Sequence, residues 1–424
     1  MTKDRQLEVP GFATRRAWLK SVSAMAAVSA MGSLAGANPA SAAQPAKRAA
    51  AAAAQNDKAW FAFVGTYTPH GLGIHRFRVD RATGKLDALD PVQGIENPSA
   101  LVIDKTQRFL FSTSEVKNYN GTTNGSVSSY AIEAGTGALH PVSTVNSQGA
   151  GPVYLSLHPN GRYLLVANYN SGSVAVLPVG EDGTLRDAVS MQAPQAPAGA
   201  GHAAEGVPGS FAISDHDGPH AHTIVPSPDG RFAISTDLGV DRTYLWKFDE
   251  TSGALAPNEP AFVAASAGAG PRHVAFHPNG RWLYEVTEEA STLVAYGYDA
   301  QHGTLTQMQS VSTLPPGYQG TSFASEIMLS HDARFIYVAN RLHDTIAQFG
   351  IGANGQVHWI GETPTGGDYP RVIRFDPSGR FLYSLNQRSD HIAIFSADKA
   401  SGKLRFTGNY VAVGSPSDIA FAAV

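Results

Sequence analysis

Residues Gly270 to Tyr298 read GPRHVAFHPNGRWLYEVTEEASTLVAYGY. A short apolar run, Val274 to Phe276, ends in the turn Pro278-Asn279-Gly280. Arg281 follows, then a second run, Trp282 to Val286. A polar connection, Thr287 to Ser291, leads to a third run, Thr292 to Tyr298. Short alternating runs rich in β-branched and aromatic residues, punctuated by Pro, Asn and Gly, predict consecutive antiparallel strands. The two polar junctions, Arg272-His273 and Thr287-Glu288, interrupt this pattern and are where chemistry is expected.

The same unit recurs. The arginine after each turn marks it: Arg108, Arg162, Arg231, Arg281, Arg334 and Arg380, at steps of 54, 69, 50, 53 and 46 residues. A second turn, Asp-x-x-x-Gly-x-Leu, appears at Asp80–Leu86, Asp249–Leu255, Asp299–Leu305 and Asp398–Leu404. A period near 50 with four short strands per repeat is the signature of a β-propeller. Six repeats are complete. The fragment from Phe61 to Leu86 lacks a first strand, and Ser417 to Phe421 supplies only one. Together they predict an all-β, seven-bladed propeller closed by pairing of the N- and C-terminal strands, which removes exposed sheet edges. The one long step contains residues 192–220, rich in Ala, Pro, Gly and His, expected to form a loop or flap inserted between blades.

The first 42 residues stand outside this pattern. Arg15-Arg16 lies in Thr14-Arg15-Arg16-Ala17-Trp18-Leu19-Lys20, a twin-arginine export motif. A weakly apolar stretch from Ser21 to Ala37 and a small-residue site at Ala40-Ser41-Ala42 follow. This predicts a signal peptide at 1–42, handed to the twin-arginine translocon and removed. A disordered linker at 43–57 and the propeller at 58–424 follow, and the product is periplasmic or secreted. The stretch is too short and Ala-rich for a good membrane span. Losing five basic and two acidic groups takes the formal charge from −4 to −7. A mildly acidic domain without basic runs argues against nucleic acid and against stable membrane insertion. With no cysteine there is neither a disulfide nor a thiol nucleophile.

In a propeller, connections alternate between faces. The Pro-Asp-Gly-Arg and Asp…Gly-x-Leu turns share one face as structural hairpins. The opposite face collects the unusual polar residues. Before the first strands lie His220, His222, Arg272, His273, Glu326, Tyr369 and Arg371. Between second and third strands lie Glu115, Asn168, Asp237, Asp241-Arg242, Glu288, Arg341 and His343. Such residues converge on one mouth of the channel, a concave polar site on a rigid scaffold.

Six motifs in order resemble the bacterial lactonase family of seven-bladed propellers. They are Val64-Gly65-Thr66-Tyr67-Thr68, Pro219-His220-Ala221-His222, Asp237 to Arg242, Gly270-Pro271-Arg272-His273, Thr287-Glu288 and Asn340-Arg341-x-His343-Asp344. The family includes propeller-type 6-phosphogluconolactonases and the fungal muconate-lactonising enzyme, and the likeness covers about residues 60–424. It implies a catalytic His, two Arg and a Glu, which map by motif onto His222 or His220, Arg272, Arg341 and Glu288. Thr287 departs from the pattern, where Asn is expected. Export is a second departure, because phosphorylated sugar lactones are cytoplasmic metabolites.

Opening a lactone needs an activated water, a stabilised oxyanion and recognition of the rest of the molecule. Glu288 or one of His220 and His222 could act as general base. Arg272 and Arg341 could hold the oxyanion or clamp an anionic group. His273, Glu326, His343, Arg371 and Asn168 are candidate substrate-binding residues. The structural alternatives are an ion pair between Glu288 and Arg272 tying two blades together, and a core histidine at 222. A local network is expected for Asp237, Asp241 and Arg242. His202, His216, His220 and His222 with Asp215 and Asp217 have metal-compatible spacing. Because His202 and His216 fall in the insert, and the resemblance requires no metal, neither metal nor cofactor is expected. The expected activity is hydrolysis of a sugar lactone, 6-phosphogluconolactone or a free aldonolactone. A muconate-type cycloisomerase and a non-catalytic binding propeller are the alternatives.

Overall fold

The computed structural model describes residues 58–207 and 213–424. The expected signal peptide at 1–42 and linker at 43–57 lie outside the described residues. Among those described, no helix is long and apolar enough to cross a membrane.

Seven four-stranded antiparallel sheets follow one another, each ordered from an inner to an outer strand. The chain starts within blade 1, whose strands Trp60–Thr66, Ile74–Val79 and Leu86–Val92 are completed on the inside by Pro416–Ala423. Trp60 pairs with Ala423 and Val64 with Ile419, so the ring closes as expected. Blades 2 to 7 span 101–146, 152–192, 221–264, 271–312, 323–364 and 370–412. The apolar clusters alternate with the sheets around the ring. Gln192 belongs to the outer strand Ser190–Gln192 of blade 3, so the inserted connection begins one residue later than its composition suggests.

The two repeated turns do more than reverse the chain. The aromatic after each turn arginine seats on the outer-turn glycine of the next blade: Phe109 on Gly183, Tyr163 on Gly253, Phe232 on Gly303, Trp282 on Gly355, Phe335 on Gly402 and Phe381 on Gly84. Phe61 on Gly137 makes the seventh contact. Each glycine has φ between +64° and +84°, and an added Cβ would fall 2.2–2.6 Å from the ring. The arginine lies over its own aromatic and, in five of six cases, donates to a backbone carbonyl of the neighbouring turn, as Arg162 does to Glu250 O at 2.6 Å. These glycines must therefore lack a Cβ for two reasons, backbone conformation and ring contact.

A pair of substitutions separates the two. Gly303→Ala should cost about 2–4 kcal/mol, from left-handed strain plus displacement of Phe232. Gly280→Ala, at φ +68° with nothing within 4 Å, should cost only the strain, about 1–2 kcal/mol. Thermal melting checks the order. Equal losses would remove the packing role of the Gly303 contact.

Candidate functional site

Of the polar residues expected just before the first strands, His222, Arg272 and Arg371 lie inside them at the second position, His273 and Glu326 lie deeper in the strand, and His220 and Tyr369 precede it. Pairing with the second strand skips the second position: Val153 in blade 3, His222 in blade 4, Arg272 in blade 5, Arg371 in blade 7 and Ser417 in blade 1. A β-bulge leaves such a residue unpaired and re-aims its side chain. The strands begin earlier than their apolar pattern because channel-facing residues can be polar.

A second ring comes from the other junction. The sixth residue past each seated aromatic is Tyr67, Glu115, Tyr169, Glu288 and Arg341 in blades 1, 2, 3, 5 and 6. These five, with Val153, His222 and Arg371, enclose a cavity of about 310 Å³. Tyr67, Tyr169 and Val153 were missed at the sequence level, and Glu115 was noted only as one polar junction residue. Aligning that sixth position across the repeats would have found all but Val153.

Glu288 sits between two guanidinium groups. Its Oε2 is 2.5 Å from an Arg341 terminal nitrogen and 2.7 Å from Arg272 Nε, the latter an ion-pair contact rather than an aligned hydrogen bond. Arg272 and Glu288 belong to the same blade, so that pair does not tie two blades as expected; the bridge between blades 5 and 6 runs to Arg341. Burial alone would raise the Glu288 pKa, but Arg341 and Arg272 outweigh it and hold the carboxyl below its ordinary value. Burial and the Arg341 charge pull Arg272 down to about 10. Arg341 packs between the Phe323 and Tyr369 rings and donates to the Tyr369 hydroxyl at 3.2 Å. Arg371 lies over the Tyr67 ring, whose hydroxyl donates to Glu115 at 2.6 Å.

Below this, His273 Nδ1 is 3.1 Å from Glu326, and Arg374 joins Glu326 (3.4 Å) to Asp418 (2.9 Å). Arg272 reaches the backbone oxygen of Ser325 and, at 3.3 Å, His273 Nε2. Glu326 and His273 thus support Arg272 from beneath. Burial, reinforced by Arg272, lowers the pKa of His273 far below its ordinary value.

The two histidines of the motif separate. His222 lines the cavity, its ring 4.9 Å from that of His273. It is 5% exposed, its Nδ1 has no protein partner, and burial plus the nearby Arg272 push its pKa well down, so it is neutral. His220 points elsewhere: its ring contacts Asp217 at 2.7 Å and Tyr169 O at 3.0 Å, and its backbone N–H donates to Asp237 at 2.7 Å. Asn168 is fully buried and bonds Ser147 O and Ser173. Asn340 and Asn386 occupy the same repeat position and bond Thr313 O and Thr365 O, so this amide closes loops in three blades. Thr287 takes that position in blade 5 and bonds Thr292 instead. His343 faces outward to Glu362 and Tyr318.

The insert reaches the site. Ser214 donates its backbone N–H and hydroxyl to Glu289, and His216 lies 3.3 Å from the same carboxylate, both side chains nearly fully buried. Glu289 had no signal beyond its neighbour Glu288. Asp237 accepts from the His220 N–H, Asp241 from Gly268 and Gly270, and Arg242 covers the Phe262 ring, so the three make separate local contacts where one network was expected. Among the described residues no group of three or more His, Asp or Glu is arranged to hold a metal. The mouth can therefore offer a neutral imidazole, the guanidinium groups of Arg341 and Arg371, and hydroxyls to a small polar ligand. His343→Ala should change kcat/KM by less than about threefold, since the ring bonds Glu362 and does not line the mouth cavity; steady-state kinetics checks it, and a loss above about tenfold would bring His343 back into the site.

A family model described as a lactonase, 7-bladed beta-propeller, matches residues 61–421. The chain is 31% identical to a 6-phosphogluconolactonase of Bacillus subtilis over 364 residues, 85% of this chain and 98% of the relative. The solved periplasmic gluconolactonase of Pseudomonas aeruginosa superposes with a TM-score of 0.77 at 34% identity, covering 86% of this chain and 99% of that one. A Lactobacillus plantarum structure gives 0.75 at 27%, covering 86% and 99%.

Proposed function

The chain belongs to the lactonase family of seven-bladed β-propellers, and from that premise we propose that it hydrolyses a sugar lactone in the channel mouth by general-base activation of water. The observation that carries the reading is the neutral, buried His222 sharing one cavity with Arg341, Arg371 and an already paired Glu288.

A carboxylate clamped by two guanidinium groups is a weak base, because its lone pairs and charge are committed. His222 is the better acceptor. Water held against its ring gives up a proton to the imidazole as its oxygen bonds the lactone carbonyl carbon. The new oxyanion lies towards Arg341 and Arg371, whose charges stabilise it in a site shielded from bulk water. The ring C–O bond then breaks, and the leaving oxygen takes the proton back from His222. The product is the open hydroxy acid. Glu288 keeps Arg272 and Arg341 in place, and the Tyr67–Glu115 pair and Tyr169 offer partners for sugar hydroxyls.

We place the protein outside the cytoplasm, exported by the twin-arginine route. The motif at Arg15-Arg16 supports this, and a solved relative is a periplasmic gluconolactonase. That address favours a free aldonolactone, whereas the Bacillus relative is named for the 6-phosphate. A pH-stat assay of residues 43–424 on δ-gluconolactone and its 6-phosphate, corrected for spontaneous hydrolysis, decides between them. Acceleration of neither would sink the sugar-lactone reading and turn attention to muconate-type chemistry or simple binding.

A further inference from the structure

Three cavities follow one another through shared walls. The mouth cavity shares Val153, His222 and Arg371 with a throat of only about 20 Å³. The throat in turn shares Ala100, Tyr154, Arg374 and Asp418 with a cavity of about 520 Å³ on its other side. The throat has room for one water and nothing larger. Its wall is polar: His222, Ser99, Ser417, Tyr154, Glu326 and Asp418 all reach it.

We propose that the throat binds a single structural water, which bridges His222 Nδ1 to the buried carboxylates Glu326 and Asp418. Three observations carry this. The Nδ1 atom is buried without a protein partner, and leaving such a group unpaired costs about 1–3 kcal/mol. Glu326 and Asp418 keep acceptor capacity beyond their bonds to His273, Ile327, Leu101, Ile419 and Arg374. The charge balance selects a neutral occupant. Arg272, Arg371 and Arg374 disfavour a cation, and the two carboxylates disfavour an anion.

The consequence rests on the reading of His222 as base. Nδ1–H donates to the water and the water donates to a carboxylate, so the imidazole is held in the tautomer whose Nε2 lone pair is free to take the proton. The throat water and carboxylate pair together orient the base, as a directly bonded carboxylate does in a Ser-His-Asp triad. Ser417, the bulged residue of blade 1, lines the throat but not the mouth, so a larger side chain there would displace the water without touching substrate.

The test joins a structure to a variant. A high-resolution crystal structure of the protein should contain one water peak about 2.6–3.2 Å from both His222 Nδ1 and an oxygen of Glu326 or Asp418. Nitrogen NMR of the His222 ring should report the Nδ1–H tautomer. Ser417→Val fills the throat, and kcat should fall about 10–100-fold with KM within twofold; Ser417→Ala, which leaves the space, should stay near wild type. A throat without density, an ion there, or a Ser417→Val enzyme that lacks the water yet turns over normally would overturn the proposal. The wild-type density and tautomer decide the water site even if Ser417→Val does not fold. They decide it also if no lactone is turned over, which would count against the functional reading alone.

Discussion

Glu288→Gln is expected to lower kcat/KM at least about 10²-fold and to destabilise the fold at the same time, by about 3–5 kcal/mol. Glutamine keeps the volume and removes the charge. Two guanidinium groups, 1% and 3% exposed, then face each other without a counter-ion. The Arg341 charge already contributes to lowering the pKa of Arg272 with Glu288 present, so its loss leaves that repulsion uncompensated. A double-mutant cycle identifies the role. Adding Arg341→Gln to Glu288→Gln removes the repulsion and should restore much of the melting temperature while activity stays low. If Glu288 did not neutralise the two guanidinium groups, Glu288→Gln would lower turnover with little change in melting and leave nothing for the second substitution to relieve. Because the trio is buried, the outcome should depend little on ionic strength.

How much of this was legible beforehand follows from what repeats. Turn chemistry recurs at fixed offsets, so Pro159-Asn160-Gly161-Arg162 and its counterparts gave the blade count. The half repeats at Phe61 and Ser417 gave the closure. Bulges leave no such mark: Arg272 and His222 read as loop because a channel-facing strand need not be apolar. The seating of Phe232 on Gly303 joins residues 71 positions apart, and only the packed ring reveals that the glycine lacks room as well as needing positive φ. His220 and His222 are equivalent in a His-x-His pattern, yet the skipped pairing between Ala221 and Thr223 singles out His222. Asn168 looked like a ligand-binding amide, yet with Asn340 and Asn386 at the same repeat position it closes a loop. Ser214 carried no local signal and His216 only a metal-compatible spacing, since their shared partner Glu289 lies in blade 5.

The second large effect is expected at His222. His222→Gln should reduce kcat about 10²–10⁴-fold while KM changes little, because the amide cannot accept a proton. The pH dependence is the sharper test. Burial and the surrounding arginines hold the free imidazole neutral well below its ordinary pKa, so kcat/KM should stay flat from pH 8 down through about 6.5 and fall only at lower pH. In the complex, negative charge developing beside Arg341 and Arg371 offsets those guanidinium groups and makes His222 more basic as water attacks. The acid limb of kcat should therefore lie at higher pH than that of kcat/KM when the substrate itself is anionic. Stability has the same sign. A histidine buried neutral contributes fully above its unfolded pKa of about 6.5, and that contribution is lost as pH falls towards the depressed folded value. His273 adds to this loss, being buried and lowered in the same way. His222→Gln should consequently melt with a shallower acid dependence below pH 6.5 than the wild type. An acid limb that survives unchanged in His222→Gln would assign the proton transfer to another group and leave Glu288 as the only other candidate base named from the sequence that lines the mouth.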